Sequence, residues 1–152
     1  MIISFLGHRN INNKEKIKQL VEKAVKENIP ENDELLFYCG GYGDYDELCA
    51  SVCRNIKKTL PTSKIIFITP YISPSQQQKI KYLLETKLYD EVIYPPIENT
   101  PQRFAISKRN EWIVERSDLI IAYIEHSFGG AYKTFLTAKR KNKKIISISL
   151  EL

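Results

Sequence analysis

The chain has 152 residues, 43% of them hydrophobic and 27% charged, with a formal net charge of +5. That length suits one domain with a sizeable core, and the composition is that of an ordinary globular protein rather than a disordered or fibrous one. The apolar runs are too short to cross a bilayer, and the N-terminus lacks the basic start and cleavage site of a secretory signal, so a cytoplasmic protein with no membrane partner is expected.

In chain order, residues 2–6 form an apolar run with the length of a buried strand. Gly7, His8, Arg9 and Asn10 follow. Asn12 with Glu15 resembles a capping box, ahead of a helical stripe of Ile17, Leu20, Val21, Ala24 and Val25. Residues 35–39 read as the second strand. Gly40, Gly41, Tyr42 and Gly43 make a turn, and Asp44 is placed to cap a helix whose stripe is Leu48, Cys49, Val52, Cys53 and Ile56. Residues 64–69 read as the third strand, stopped by Pro70. Ser73 and Pro74 open a helix with Ile80, Leu83 and Leu84 on its apolar face. Residues 91–94 form a short fourth strand, cut off by Pro95 and Pro96. Thr100 and Pro101 start a helix that reaches about Arg116. Residues 118–124 are a strongly apolar fifth strand, Gly129 and Gly130 open a helix to about Asn142, and residues 144–150 are the last strand.

Strands alternating with helices predict an α/β, doubly wound, mostly parallel sheet covered on both faces. No linker or repeat divides the chain, so residues 1–152 are expected to form one domain. In such sheets the ligand crevice lies beyond the carboxyl ends of the strands. All six glycines fall just after apolar runs: Gly7, then Gly40, Gly41 and Gly43, then Gly129 and Gly130. Their convergence at one sheet edge marks the expected site.

Several residue groups carry chemistry there. Arg109 falls on the same helical stripe as Ala105, Trp112 and Ile113. A guanidinium is seldom buried without an anion or a carboxylate, so Arg109 reads as a fork for a phosphate or carboxylate, or as the partner of Asp118 or Glu115. Arg9, beside His8, is a second cation within reach of a bound phosphate. Gly129, Gly130 and Thr134 open a helix whose free N–H groups suit a phosphate, although the spacing is not that of a Walker A loop. Asp44, Asp46 and Glu47 crowd the other glycine turn. Their charge repels phosphate, so that turn reads as the ribose or base side, with Asp46 accepting from ribose hydroxyls. Tyr42, Tyr45, Tyr71 and Tyr132 are candidates to stack on a base. His126, in the loop after the fifth strand, is either a loop hydrogen-bonding residue or a ligand contact.

Cys39, Cys49 and Cys53 are odd in number and have no framework spacing, which argues against structural disulfides. No paired ligand spacing predicts a metal, and no cofactor is expected. The basic cluster in residues 139–144 reads as a helix C-terminus favouring cations rather than as a DNA patch.

Five motifs in order resemble the SLOG superfamily, which contains the DprA DNA-processing proteins and the "lonely guy" (LOG) phosphoribohydrolases, with a closer resemblance to its YpsA-like branch. They are Phe5-Leu6-Gly7-His8-Arg9, then Gly40-Gly41-Tyr42-Gly43-Asp44-Tyr45-Asp46, Arg109-Asn110-Glu111-Trp112, Ser117-Asp118-Leu119-Ile120-Ile121-Ala122-Tyr123, and Gly129-Gly130-Ala131-Tyr132-Lys133-Thr134. The resemblance implies a Rossmann-like fold that binds or senses a nucleotide or nucleotide-derived ligand, and homo-oligomers are common in related folds. It brings Asn110 into the ligand set beside Arg109. LOG enzymes release a base from a nucleoside monophosphate through an arginine and a glycine turn of the type G-G-x-G-T-x-x-E. Arg109 matches the arginine, but Thr134 is followed by Phe135, Leu136 and Thr137, so that glutamate is missing. Hydrolysis of an N-glycosidic bond would then fall to Arg109 with a relocated acid, Asp46 or Glu115. A non-catalytic nucleotide binder is therefore the leading expectation. The alternatives are a LOG-like phosphoribohydrolase and a DprA-like nucleic-acid-binding protein.

Overall fold

In the computed structural model, which describes residues 1–150, six strands build one parallel sheet. The strands are β1 (Ile2–Gly7), β2 (Leu36–Cys39), β3 (Lys64–Ile68), β4 (Glu91–Ile93), β5 (Leu119–Tyr123) and β6 (Ile145–Ser147). Their order across the sheet is β4-β3-β2-β1-β5-β6, and every neighbouring pair is parallel. The helices are α1 (Lys14–Lys26), α2 (Asp44–Lys57), α3 (Pro74–Glu85), α4 (Ala105–Arg116) and α5 (Gly129–Arg140), with a turn of 3-10 helix at Gln102–Phe104 before α4. This is the expected Rossmann-like α/β fold. Among the described residues no helix is long and apolar enough to cross a membrane.

Strand alternation divides the core. Ile3, Phe37, Phe67 and Ile121 join Ile17, Val21, Val52 and Cys53 beneath α1 and α2. Ile120 and Ala122 face the other way, with Val114 and Ala138 of α4 and α5. Tyr38, Ile66 and Ile68 lie with Ile113 of α4 on that same side. All five residues of β5 are buried, which is why this central strand reads as an unbroken apolar run. The three cysteines are free and buried.

β1 is the switch point of the winding. The chain leaves it through α1 towards β2, and returns to its other side through the long crossover by way of α4 to β5. Crevices form at that place, beyond the carboxyl ends of the strands.

Several local expectations differ from the structure. The cap of α1 is Asn13, in the left-handed region at φ 58° with no side-chain bond, so Asn12 and Glu15 form no capping box. Gly43 holds the cap position of α2, and Asp44 is the first helical residue. The Asp44 carboxylate instead accepts from the Ile11 N–H at 3.2 Å, pinning the loop after β1. Ser73 does cap α3, accepting from the Gln76 N–H. Leu84, however, is exposed, while Ile80 and Leu83 are partly buried against the core and Gln76 is the buried residue of that helix. The last strand is shorter than residues 144–150, as suits an edge position with one neighbour.

Candidate functional site

A cleft of about 210 Å³ opens at the carboxyl ends of β1 and β2. Its walls come from four places. The exit of β1 supplies Phe5 to Arg9, and the exit of β2 supplies Gly40, Tyr42 and Asp46. The inner face of α4 supplies Ile106, Arg109, Asn110 and Ile113, and the start of α5 supplies Gly130 and Ala131. The α4 residues stand at i, i+3, i+4 and i+7, so one helical face presents them all. Its lining mixes apolar side chains with polar and charged ones.

Among the described residues Arg109 is the most buried charged side chain, at 2% exposure. Neither Asp118 nor Glu115 is its partner. Its Nη1 donates to the carbonyls of Gly40 and Ile68, both at 2.6 Å, and its Nε donates to Asn110 Oδ1 at 2.9 Å. The guanidinium thus ties the exit of β2 to the end of β3 while lining the cleft. Burial lowers its pKa, and Asp46 and Tyr42 work against that shift.

Asp46 faces the same wall. Its Oδ2 accepts from the Tyr42 N–H at 3.0 Å and lies 2.8 Å from where a Cβ on Gly40 would stand. Glycine at position 40 is therefore what lets the turn pass over the carboxylate. Burial pushes the Asp46 pKa up to about 6, against the opposing pull of the Tyr42 N–H, Arg109 and Arg9. A carboxyl in that range gains or loses a proton near neutrality, the behaviour expected of a group at a working site.

Gly7 is required by packing rather than by a ligand. A Cβ there would sit 2.4 Å from the ring of Tyr45. Tyr45 itself is fully buried and donates to the Ile121 carbonyl at 2.9 Å, so it belongs to the core and is not available to stack on a base. Tyr42 lines the cleft, its hydroxyl accepting from Gln76 at 3.2 Å and its ring engaged by Lys79 and Arg109.

The structure thus gathers Gly7, His8, Arg9, Gly40, Tyr42, Asp46, Arg109, Asn110 and Gly130 around one cleft. Five other candidates stand off it. Gly41 borders a neighbouring cavity over Phe67, and Gly43 packs against the backbone of Arg9. Gly129 opens α5 with nothing near its Cβ position. Thr134 lies a turn into α5, its hydroxyl donating to the Gly130 carbonyl at 3.0 Å rather than reaching for a ligand. Glu115 is exposed on the outer side of α4, where Lys141 pairs with it at 3.0 Å and lowers its pKa. It does not line the cleft.

Sequence reasoning passed over Phe5, Leu6, Ile106, Ile113 and Ala131, which look like core. The stripe through Arg109 does carry Ile106 and Ile113, so helical spacing held that signal. It also passed over a column of stacked rings, His8 on His126 and His126 on Phe128, beside the cleft.

No known family profile matches the chain. It is similar to the uncharacterized SPbeta prophage-derived protein YoqJ of Bacillus subtilis (strain 168), with 26% identity over 139 residues, covering 82% of this chain and 81% of that one. Its fold is similar to that of DNA processing protein A (DprA) from Streptococcus pneumoniae, with a TM-score of 0.66 and 14% identity over 99% of this chain. The chain spans half the length of that protein. DprA from Helicobacter pylori, solved for its single-stranded DNA binding mode, gives a TM-score of 0.60 at 16% identity, over all of this chain and 66% of that one. At such identities the likeness shows the fold: this chain has the Rossmann-like fold of the DprA structures.

Proposed function

We propose that the cleft binds a nucleotide or nucleotide-derived ligand without transforming it, as a member of a SLOG-type lineage. The observation that carries this reading is a buried arginine on the wall of a cleft that also takes in the open start of α5. The first N–H groups of a helix have no partner within it and favour an anion. Arg9 and the outer part of the Arg109 guanidinium add positive charge on the same side. A phosphate belongs there, and Asp46, close to Arg109 at the exit of β2, accepts from the ribose hydroxyls.

The hydrolytic alternative has lost one of its two acids, since Glu115 lies outside the cleft. Asp46 alone stands where it could act, with a pKa suited to an acid or base. Release of free base from nucleoside monophosphates, abolished by Asp46→Asn, would favour the enzyme over the binder.

One observation favours a second reading. The fold is shared with a DprA structure solved for single-stranded DNA binding, and this chain is basic. A strand bound along the sheet edge would place one nucleotide unit in the same cleft. The two readings separate on salt, because binding through many phosphates weakens steeply as salt rises, whereas a single mononucleotide responds weakly.

Calorimetry with mono- and dinucleotides, cyclic nucleotides and ADP-ribose derivatives tests the proposal. Saturable binding of at least one supports it. Absence of heat from all of them, with the wild-type protein folded, removes it.

A further inference from the structure

The cleft is smaller than the roughly 300–1,000 Å³ usual for sites that enclose a whole organic ligand. At about 210 Å³ it is too small to enclose a whole nucleotide, so part of such a ligand would extend past its rim. The residues at that rim therefore decide how the base is held.

A column of three rings starts from the cleft wall. His8 lines the cleft. Its ring stacks on His126 with centroids 3.8 Å apart and planes within 14°, and His126 stacks on Phe128 at 4.1 Å and 27°. The column is anchored at its base. His8 is buried, and its Nε2 accepts from the Glu125 N–H at 2.9 Å. The Tyr123 hydroxyl bonds the Glu125 carboxylate, fixing the same loop to the end of β5. At the other end Phe128 is 69% exposed, the most exposed large hydrophobic residue of the described chain.

An exposed phenylalanine held in a stack is different from one hanging free. Its orientation is already set, so a second flat partner pays little ordering entropy. Phe128 is also the cap residue of α5, directly before Gly129 and Gly130, and Gly130 lines the cleft. A ligand with its phosphate at the start of α5 thus has this ring one residue away. Two of the four tyrosines considered for stacking are less suited: Tyr45 is core, and the ring of Tyr42 is engaged by Lys79 and Arg109.

We propose that Phe128, backed by His126 and His8, is the platform on which the ligand's base stacks at the rim of the cleft. The inference rests on the nucleotide reading of that cleft. It assigns Phe128 a positioning role that the reading does not require. The stack offers ring faces rather than hydrogen-bond donors, so it favours any base over none and discriminates weakly between bases.

The test is calorimetry of wild type, Phe128→Ala and Phe128→Trp with nucleoside monophosphates and with ribose phosphate, which lacks the base. A base–aromatic stack corresponds to about a fivefold to hundredfold gain in affinity. Phe128→Ala should weaken the nucleoside monophosphates by at least about fivefold and leave ribose phosphate within about twofold, while Phe128→Trp retains the affinity. Because the side chain is exposed, the melting temperature of each variant should match wild type. Unchanged nucleotide affinity in Phe128→Ala overturns the platform and leaves the nucleotide site standing. Equal losses for both ligands also overturn it, since Phe128 would then act only through the start of α5. Absence of binding by every compound to wild type fails the cleft reading itself, and the platform with it.

Discussion

Arg109 shows how one residue serves structure and site together. Its helical position announced an inward-facing cation, but the sequence offered only an anion or a carboxylate as partner. Two backbone carbonyls take that place instead. Such acceptors carry no signature, since every residue has one. Truncation to alanine leaves the Gly40 and Ile68 carbonyls without this donor, at about 1–3 kcal/mol for each. Arg109→Ala should therefore lower the urea midpoint markedly as well as weaken nucleotide binding by about 2 kcal/mol or more. A variant of unchanged stability would contradict the carbonyl clamp. Asp46 makes a prediction of opposite sign. Its folded pKa of about 6 lies above the ordinary 3.8, so its ionisation is disfavoured in the folded state and stability is lost as pH rises from about 3.8 through about 6. Asp46→Asn should raise stability most at about pH 8, and the gain should be smaller at about pH 5, inside the interval where the carboxyl titrates. Denaturant melts at the two pH values check this.

At the scale of elements, the strands and helices were legible because the apolar periods are clean and prolines and glycines punctuate them. The ends were less so. Asn12 and Asn13 look alike as caps, and the left-handed backbone of Asn13 decides between them. Asp44 suits a cap by type, yet Gly43 takes the position and frees the carboxylate to hold the loop after β1. The convergence of three glycine turns was legible from topology, since all leave the same sheet edge. Which glycine faces the ligand and which faces a tyrosine was not, because that depends on packing across the sheet. Gly7→Ala illustrates the point. Its new methyl would meet the Tyr45 ring, and overpacking of this kind costs about 1–3 kcal/mol. Its urea midpoint should fall accordingly. The ring column escaped the sequence for the same reason, as His8 and Phe128 lie far apart along the chain. Burial, and then His126, hold His8 below its ordinary pKa of 6.5. Its contribution is therefore full above that value and lost as pH falls through the depressed one. The stability gap between wild type and His8→Phe should shrink from about pH 8 to about pH 5.

At the scale of the molecule, the sheet order concentrates every special feature at one edge. β1 lies between β2 and β5, so the loops after it and after both neighbours meet, and α4 crosses to place Arg109 among them. The excess of 23 basic over 18 acidic side chains gives the molecule a general attraction for anions. Much of the cluster at residues 139–144 is already engaged. Lys141 pairs with Glu115, and Lys143 donates to the carbonyls of Glu115 and Ser117. A small anionic ligand in the cleft fits this distribution better than a long polyanion along the surface. The most direct measurement is a calorimetric titration of folded wild-type protein with nucleoside monophosphates, repeated at low and high salt. The account predicts saturable binding with one ligand per chain and only a modest loss of affinity at high salt. No binding, or binding only of single-stranded DNA with a steep salt dependence, would contradict it.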